Sequence, residues 1–398
     1  MPQIFPQVDM LLDKLPLHVD VLIVGGGPIG ALVVQRLAAA GVDALLLDAK
    51  PKIEADPRAL ALSWASFEAL DQVGLWGTEL AATAITQVHI SQQGTIGRTE
   101  LLASELGLPA LGFVVDYDKL ARRAFSTLSE STAKAALGYR VIKITRLARF
   151  AQIKIDGPSG EEQLTARLVV LADGGQLISQ LDDIIQTIKP YQQHAILAKL
   201  TPTEPHGGMA YERFADDATL ALLPNGKDFT LVWPQSPELA SERLAMSDED
   251  FIREVSKRFS GRIAGFNSVA SRASWPLALK TLNSVVGRRV VLIGNAAQTL
   301  HPVAGQGMNL GLRDATTLAG VIIASRQDEI GEPEQLARYA RLRKKDAGLV
   351  THFTDGLITY FDHPGPLLKH GRSLGLIAMD QMGWLRKGFA KRMVFGAR

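Results

Sequence analysis

The chain has 398 residues, 46% hydrophobic and 21% charged, the balance of a globular protein with more than one folding unit. A net charge of +2 gives no reason to invoke nucleic acid, and the lack of any cysteine excludes disulfides, thiolate catalysis, cysteine metal sites and iron–sulfur clusters. No run of about eighteen apolar residues is present to span a bilayer, and the first residues lack the basic start and apolar core of a secretory signal, so the cytoplasm is the expected compartment.

Residues 1–18 read as a surface extension. The stretch 19–24, VDVLIV, reads as a strand buried on both faces. Gly25, Gly27 and Gly30 then form a G-x-G-x-x-G turn that opens a helix at about 28–40. A second strand at 44–47 ends in Asp48, 23 residues after Gly25. That is the spacing of a dinucleotide site, in which the acid accepts from a ribose hydroxyl; NAD and FAD fit it equally. Arg58, in DPRALALSWASFEAL, precedes what reads as an apolar helix. It is either a solvated arginine at a helix start or a guanidinium that reaches a cofactor.

The alternation and glycine turns of 85–102 predict a hairpin. Residues 113–128 read as a short strand leading into a helix, and 140–170 alternate again around a turn at 156–162. The strand at 168–175 ends in Asp173-Gly174, which is either a return to the nucleotide unit or a plain turn. Four short alternating runs in 192–234 predict a second sheet. Its Tyr211, Phe214, Phe229 and Trp233 are core residues or the wall of an apolar pocket. A helix capped by Ser247 or Asp248 follows at 246–260, then a strand at 269–279.

Residues 294–315 read GNAAQTLHPVAGQGMNLGLRDA. A strand at 290–293 runs into Gly294-Asn295, a loop with Pro302 and Gly305 follows, and a helix opens near Gln306. Glycines permit close backbone approach to a flat ligand. The free N–H groups and positive end of a helix start suit a group that becomes anionic on reduction. An ordinary strand–loop–helix corner is the alternative. A free histidine side chain titrates near neutrality, but His301 precedes a proline in a loop and reads as a packing residue rather than a base. The rest is mostly helical. From 366 to 398, seven basic residues stand against one acid, with apolar residues interleaved. Such a tail lies on an anionic membrane, docks a partner, or packs on the body with a solvated basic face.

The blocks Gly25-Gly27-Gly30 with Asp48, Asp173-Gly174, and Gly294-Asn295 with its Pro-Gly loop stand in an order that resembles the flavin-dependent aromatic hydroxylases of the para-hydroxybenzoate hydroxylase type. The wording of 294–315, with RALAL at 58–62, ERF at 212–214 and ALLP at 221–224, is similar to the ubiquinone-biosynthesis branch. Leu177 stands where that family usually has serine, Asp48 where glutamate is commoner, and Asn295 where aspartate is usual outside this branch.

The resemblance implies an α/β fold: a Rossmann-like FAD-binding domain (19–80, 103–185 and 285–330) interleaved with a mixed-sheet substrate domain (81–102 and 186–284), then C-terminal helices at 331–398. It implies an FAD monooxygenase, with NADH or NADPH as reductant and O2 as co-substrate. Ring hydroxylation of a polyprenylated phenol would run through a C4a-hydroperoxyflavin. By motif, Gly25, Gly27 and Gly30 admit the pyrophosphate, Asp48 takes the ribose, and Asp173 and Asn295 contact the FAD chain. Gly307, Met308 and Asn309 donate to the isoalloxazine edge, Gly305 belongs to the cofactor site, Pro302 offers its carbonyl near the hydroperoxide, and Arg58 sits near the cofactor; Pro302 and Arg58 are the expected catalytic residues. The expected partners are the lipidic substrate and, through the basic tail, a membrane surface or a biosynthetic complex. A sibling hydroxylase acting at another ring position, an FAD dehydrogenase and a non-catalytic flavoprotein scaffold are the rival functions; homo-oligomerisation is left open.

Overall fold

The stretch His18–Val24 is buried at six of its seven positions because it has a parallel neighbour on each side, Gly160–Leu171 and Ala44–Asp48. The computed structural model describes residues 14–52, 56, 58–215, 219–259, 261–299, 305–361 and 366–396, without the side chains of 345, 349–361 and 366–369. In the first sheet, Val290–Leu292 and Lys134–Leu137 extend the parallel core on either side. Val21 and Ile23 face a layer that includes helices Pro28–Ala39, Tyr117–Glu130 and Gln306–Ile323. Leu22 and Val24 face the opposite way, onto Val141, Ile144, Ile153 and Ile155 of the meander Arg140–Arg146, Ala151–Gly157.

The second sheet has seven strands in the order Phe266–Leu282, Gln186–Pro202, Asp228–Gln235, Thr219–Asn225, Met209–Phe214, Gln87–Gln92, Arg98–Leu102. The pair Met209–Phe214 and Gln87–Gln92 is parallel, joining the predicted hairpin to the later strands. One face buries Ile196, Leu222, Leu231 and Trp233 against helices Pro237–Ala245 and Asp248–Phe259. Ser236 and Ser247 cap those helices, accepting from the N–H groups of Leu239 and Asp250 at 3.3 and 3.1 Å. Of the two caps expected for the second helix, Ser247 is the one used.

The reading of Arg58 as preceding a helix needs correction. Residues Ala59–Ser63 form a strand, paired antiparallel with Gly112–Asp116, which also pairs with Thr83–Ile85 in a small third sheet. The helix starts only at Trp64, where the Ser63 hydroxyl accepts from the Ser66 N–H at 3.3 Å. Alternating small and aliphatic residues fit either period, and the partner strand decides.

At the C-terminal end, helix Pro333–Phe361 packs on Gln306–Ile323. Helices Pro366–Gln381 and Gly383–Phe395 lie against the 87–102 hairpin, where Leu376, Ala390 and Val394 are buried with Ile90, Leu101 and Phe214. Arg386 forms an ion pair with Glu105, holding Glu105 below the ordinary carboxylate range. Among the described residues no helix is long and apolar enough to cross a membrane.

Candidate cofactor and substrate site

The three glycines of the first turn do different jobs. A Cβ on Gly25, whose φ is +115°, would lie 2.5 Å from the Ala172 carbonyl oxygen. One on Gly30 would lie 2.0 Å from the Gly25 oxygen. Both glycines are therefore required by backbone packing within the protein. Gly27 is different: the nearest atom to a Cβ there is the Tyr117 hydroxyl, at 3.6 Å. Gly27 precedes Pro28 at the start of helix Pro28–Ala39 and has no side-chain cap, so the positive end of that helix faces the cavity.

Asp48 sits at the end of its strand. Its carboxylate accepts from the Gly26 N–H at 2.5 Å and the Lys50 N–H at 2.7 Å, and the residue lines the cavity. Asp173 follows Gly160–Leu171 and accepts from the N–H groups of Gly175 and Leu177 at 2.9 and 2.8 Å. At position 177, where serine is usual, the backbone supplies a bond to Asp173. Arg58 also lines the cavity, near Asp48; it forms an ion pair with Asp56 at 2.5 Å and lies 5.1 Å from the Tyr117 ring centroid. The Asp56 hydrogen bond holds the Arg58 guanidinium above its ordinary range.

The third block closes the site. Gly294, at φ +60°, begins a 3-10 turn that exposes Asn295 to the cavity. The Gly294 N–H donates to Asp314 at 3.3 Å, and Asp314 forms an ion pair with Arg343 at 2.9 Å. Burial pushes the Asp314 carboxyl up, against the pull of Arg343. Gly305 precedes helix Gln306–Ile323 and packs on Ala61, while Gly307 and Met308 line the cavity in the first turn. Asn309 also borders the cavity, but its side chain is committed internally. Its oxygen accepts from the Ser63 N–H at 2.8 Å and the Ser66 hydroxyl at 2.7 Å. Its nitrogen donates to the Ala61 and Gly305 carbonyls at 2.8 and 2.7 Å. Any donation from Asn309 to a ligand therefore falls to its backbone. Pro302 and His301 lie outside the described residues.

All of this borders one cavity of about 1240 Å³. From the glycine turn and Asp48 it passes Gly307 and Met308 into an apolar chamber under the second sheet, walled by Leu197, Leu223, Val232 and Trp275. Among the described lining residues of that chamber, Glu212 is the one carboxylate. Leu376, Met379, Phe389 and Met393 from the last two helices complete the wall. Of the aromatic residues considered as pocket wall, Tyr211 and Phe214 border the cavity, whereas Phe229 and Trp233 are in the core behind the sheet.

A family model described as an FAD binding domain matches residues 18–354. The ubiquinone hydroxylase UbiL of Rhodospirillum rubrum is 33% identical over 94% of this chain and 88% of its own length. The chain belongs to the flavin-dependent ubiquinone hydroxylase family. The 3-demethoxyubiquinol 3-hydroxylase of Escherichia coli is 27% identical, over 92% of this chain and 96% of its own. Among solved structures, p-nitrophenol 4-monooxygenase PnpA from Pseudomonas putida superposes with a TM-score of 0.77 at 18% identity, covering 96% of this chain and 100% of that one. That likeness shows the fold.

The family's cofactor is FAD, and the site fits it on its own geometry. A glycine face open to the cavity at a helix start suits a pyrophosphate, and carboxylates at two strand ends suit sugar hydroxyls. Three features of this hydroxylase site went unread in the sequence: the acid at 212, the bonds from Ser63 and Ser66 to Asn309, and the wall made by the last two helices. The spacing of Leu376 with Met379, and of Phe389 with Met393, carried the last signal, because residues three and four apart share a helix face.

Proposed function

We propose that this chain hydroxylates the ring of a polyprenylated phenol in ubiquinone biosynthesis, with NADH or NADPH as reductant. One oxygen atom of O2 becomes the ring hydroxyl and the other leaves as water, with a hydride (two electrons and a proton) from the nicotinamide and one further proton from solvent balancing the reaction. Bound FAD supplies the reductive activation of dioxygen. The observation that carries the reading is the continuity of the cavity from the flavin-suited glycine turns into an apolar chamber.

The protein's part is positioning and exclusion of water. In this reading the strands hold the ring against the Gly307–Met308 turn, the aliphatic walls suit an isoprenoid, and the last two helices add apolar wall that limits the access of water. Glu212 stands where an acceptor can hold a phenolic proton. Residues Gly25, Gly27, Gly30, Asp48, Arg58, Asp173, Asn295, Gly305, Gly307, Met308 and Asn309 form the cofactor's surroundings in this reading.

The test is turnover under heavy dioxygen with a short-tailed phenol and NAD(P)H. One labelled oxygen in the product is expected; an unlabelled product would leave a dehydrogenase. NAD(P)H oxidation indifferent to every phenol would leave a scaffold. The intermediate accumulating in a strain without the protein then identifies the ring carbon.

A further inference from the structure

We infer that the outer face of the last two helices docks on an anionic lipid bilayer and sets the cavity wall against the membrane. This deepens the polyprenyl-phenol reading above and rests on it for the nature of what passes through the wall.

The observation is that Gly383–Phe395 carries apolar residues on two opposite faces, one buried and the other exposed among basic residues. At 100° per residue, Phe389, Ala390, Met393 and Val394 fall on one side. Phe389, Ala390 and Met393 border the cavity, and Ala390 and Val394 are buried against the 87–102 hairpin. Arg386 belongs to this inner side and is held by Glu105 and by the Asp380 carbonyl at 2.6 Å.

The other side carries Trp384, Leu385, Lys387, Lys391 and Arg392, all exposed. Trp384 is 74% exposed, and Met382, at the junction between the helices, is 46% exposed. Leu374 of the preceding helix adds another exposed aliphatic residue, at 66%. One exposed apolar residue would mean nothing, but Trp384, Leu385, Met382 and Leu374 are four within twelve residues, beside lysines. It is the composition of a helix seated at a bilayer interface, where tryptophan occupies the headgroup level and lysines meet anionic lipid.

Charge supports the same occupant. On the outer face of the last helix Lys387, Lys391 and Arg392 are exposed, in a chain whose net charge is only +2. An anionic leaflet attracts each lysine near its surface by an amount that adds along the patch. The cavity wall and the docking face are then two sides of one helix, about 10 Å apart. Docking on this face brings the chamber to within one helix of the bilayer that holds a lipid-borne substrate.

The test uses the full chain with its flavin bound and two vesicle preparations, phosphatidylcholine alone and phosphatidylcholine with phosphatidylglycerol. Co-sedimentation with the anionic vesicles only, weakened by salt, is expected, together with a blue shift of tryptophan emission that Trp384→Ala abolishes. The double variant Lys387→Glu/Lys391→Glu should bind about tenfold or more weakly. Its flavin content and its turnover of a soluble short-tailed phenol should be unchanged. No binding to anionic vesicles, equal binding to both preparations, or undiminished binding by the double variant overturns the docking. Failure of the intact protein to hydroxylate any phenol counts instead against the function, so the two readings fail separately.

Discussion

Ile29 fills the space that a side chain on Gly294 would need: a Cβ built there lies 2.5 Å from the Ile29 Cδ1 atom. The same Cδ1 lies 2.5 Å from a Cβ built on Gly311, so one isoleucine from the first helix keys into two glycines of the third block. The G-x-G-x-x-G turn and the 294–315 corner are therefore parts of one interlocked seat. Gly311→Ala should lower both Tm and flavin retention. Adding Ile29→Val, which removes the clashing carbon, should restore part of the loss, because a Cβ at 311 would still lie 3.1 Å from the Gly294 Cα atom. A coupling of about 0.5–3 kcal/mol in the double-mutant cycle is expected; strictly additive losses would contradict the interlock.

The glycines of the first turn should separate folding from cofactor binding. Gly30→Ala places a Cβ 2.0 Å from a backbone oxygen and should cost about 3 kcal/mol or more, seen as a lowered urea midpoint. Gly27→Val finds no protein atom closer than 3.6 Å to its Cβ, on extended backbone that valine accepts. That variant should fold normally and lose its yellow colour. Gly27→Val protein that retains FAD would show that the pyrophosphate does not pass this face.

Glu212 is expected to matter to chemistry and not to cofactor retention. Glu212→Gln should slow ring hydroxylation about 100-fold, the scale of a positioned proton acceptor, while FAD content stays at the wild-type level. An unchanged hydroxylation rate would remove Glu212 from the mechanism.

His89, between cavity residues Val88 and Ile90, gives a pH dependence with a definite sign. Burial holds its imidazole below the ordinary value of 6.5, although the Glu100 carboxylate opposes the shift. The unfolded chain binds this proton first as pH falls, so stability is full above 6.5 and declines as pH drops toward the lower folded-state value. Thermal melts at pH 7.5 and pH 5 should differ by less in His89→Gln than in the parent protein. An identical difference in both would assign the slope to other groups.

The sequence made the parallel core legible because Val21, Leu22, Ile23 and Val24 need burial on both faces, and only a central strand provides it. Asp48 and Asp173 were readable as strand-end acids for the same reason. ALALS at 59–63 was not, since five alternating residues suit a helix or a strand until Gly112–Asp116 is there to pair with them. Asn309 illustrates another limit: its type and place were visible, but not that Ser63, Ser66, Ala61 and Gly305 would occupy its side chain. The inner face of the last helices was obscured because Trp384 and Leu385 make the outer face apolar too. A helix with apolar residues on both faces, and cations among those on the outer one, shows no single stripe to read.

The cavity also bears on how long the molecule survives in a cell. The cavity of about 1240 Å³ can take a large ligand that binds the native state and not the unfolded chain. A ligand present at a hundredfold excess over its Kd returns about 2.7 kcal/mol to the native state, against a total stability of about 5–15 kcal/mol for an ordinary domain. Chains made when flavin is scarce will open more often and meet proteases more often. Loading with flavin is therefore expected to raise the Tm of this enzyme and to slow its proteolysis as free flavin rises.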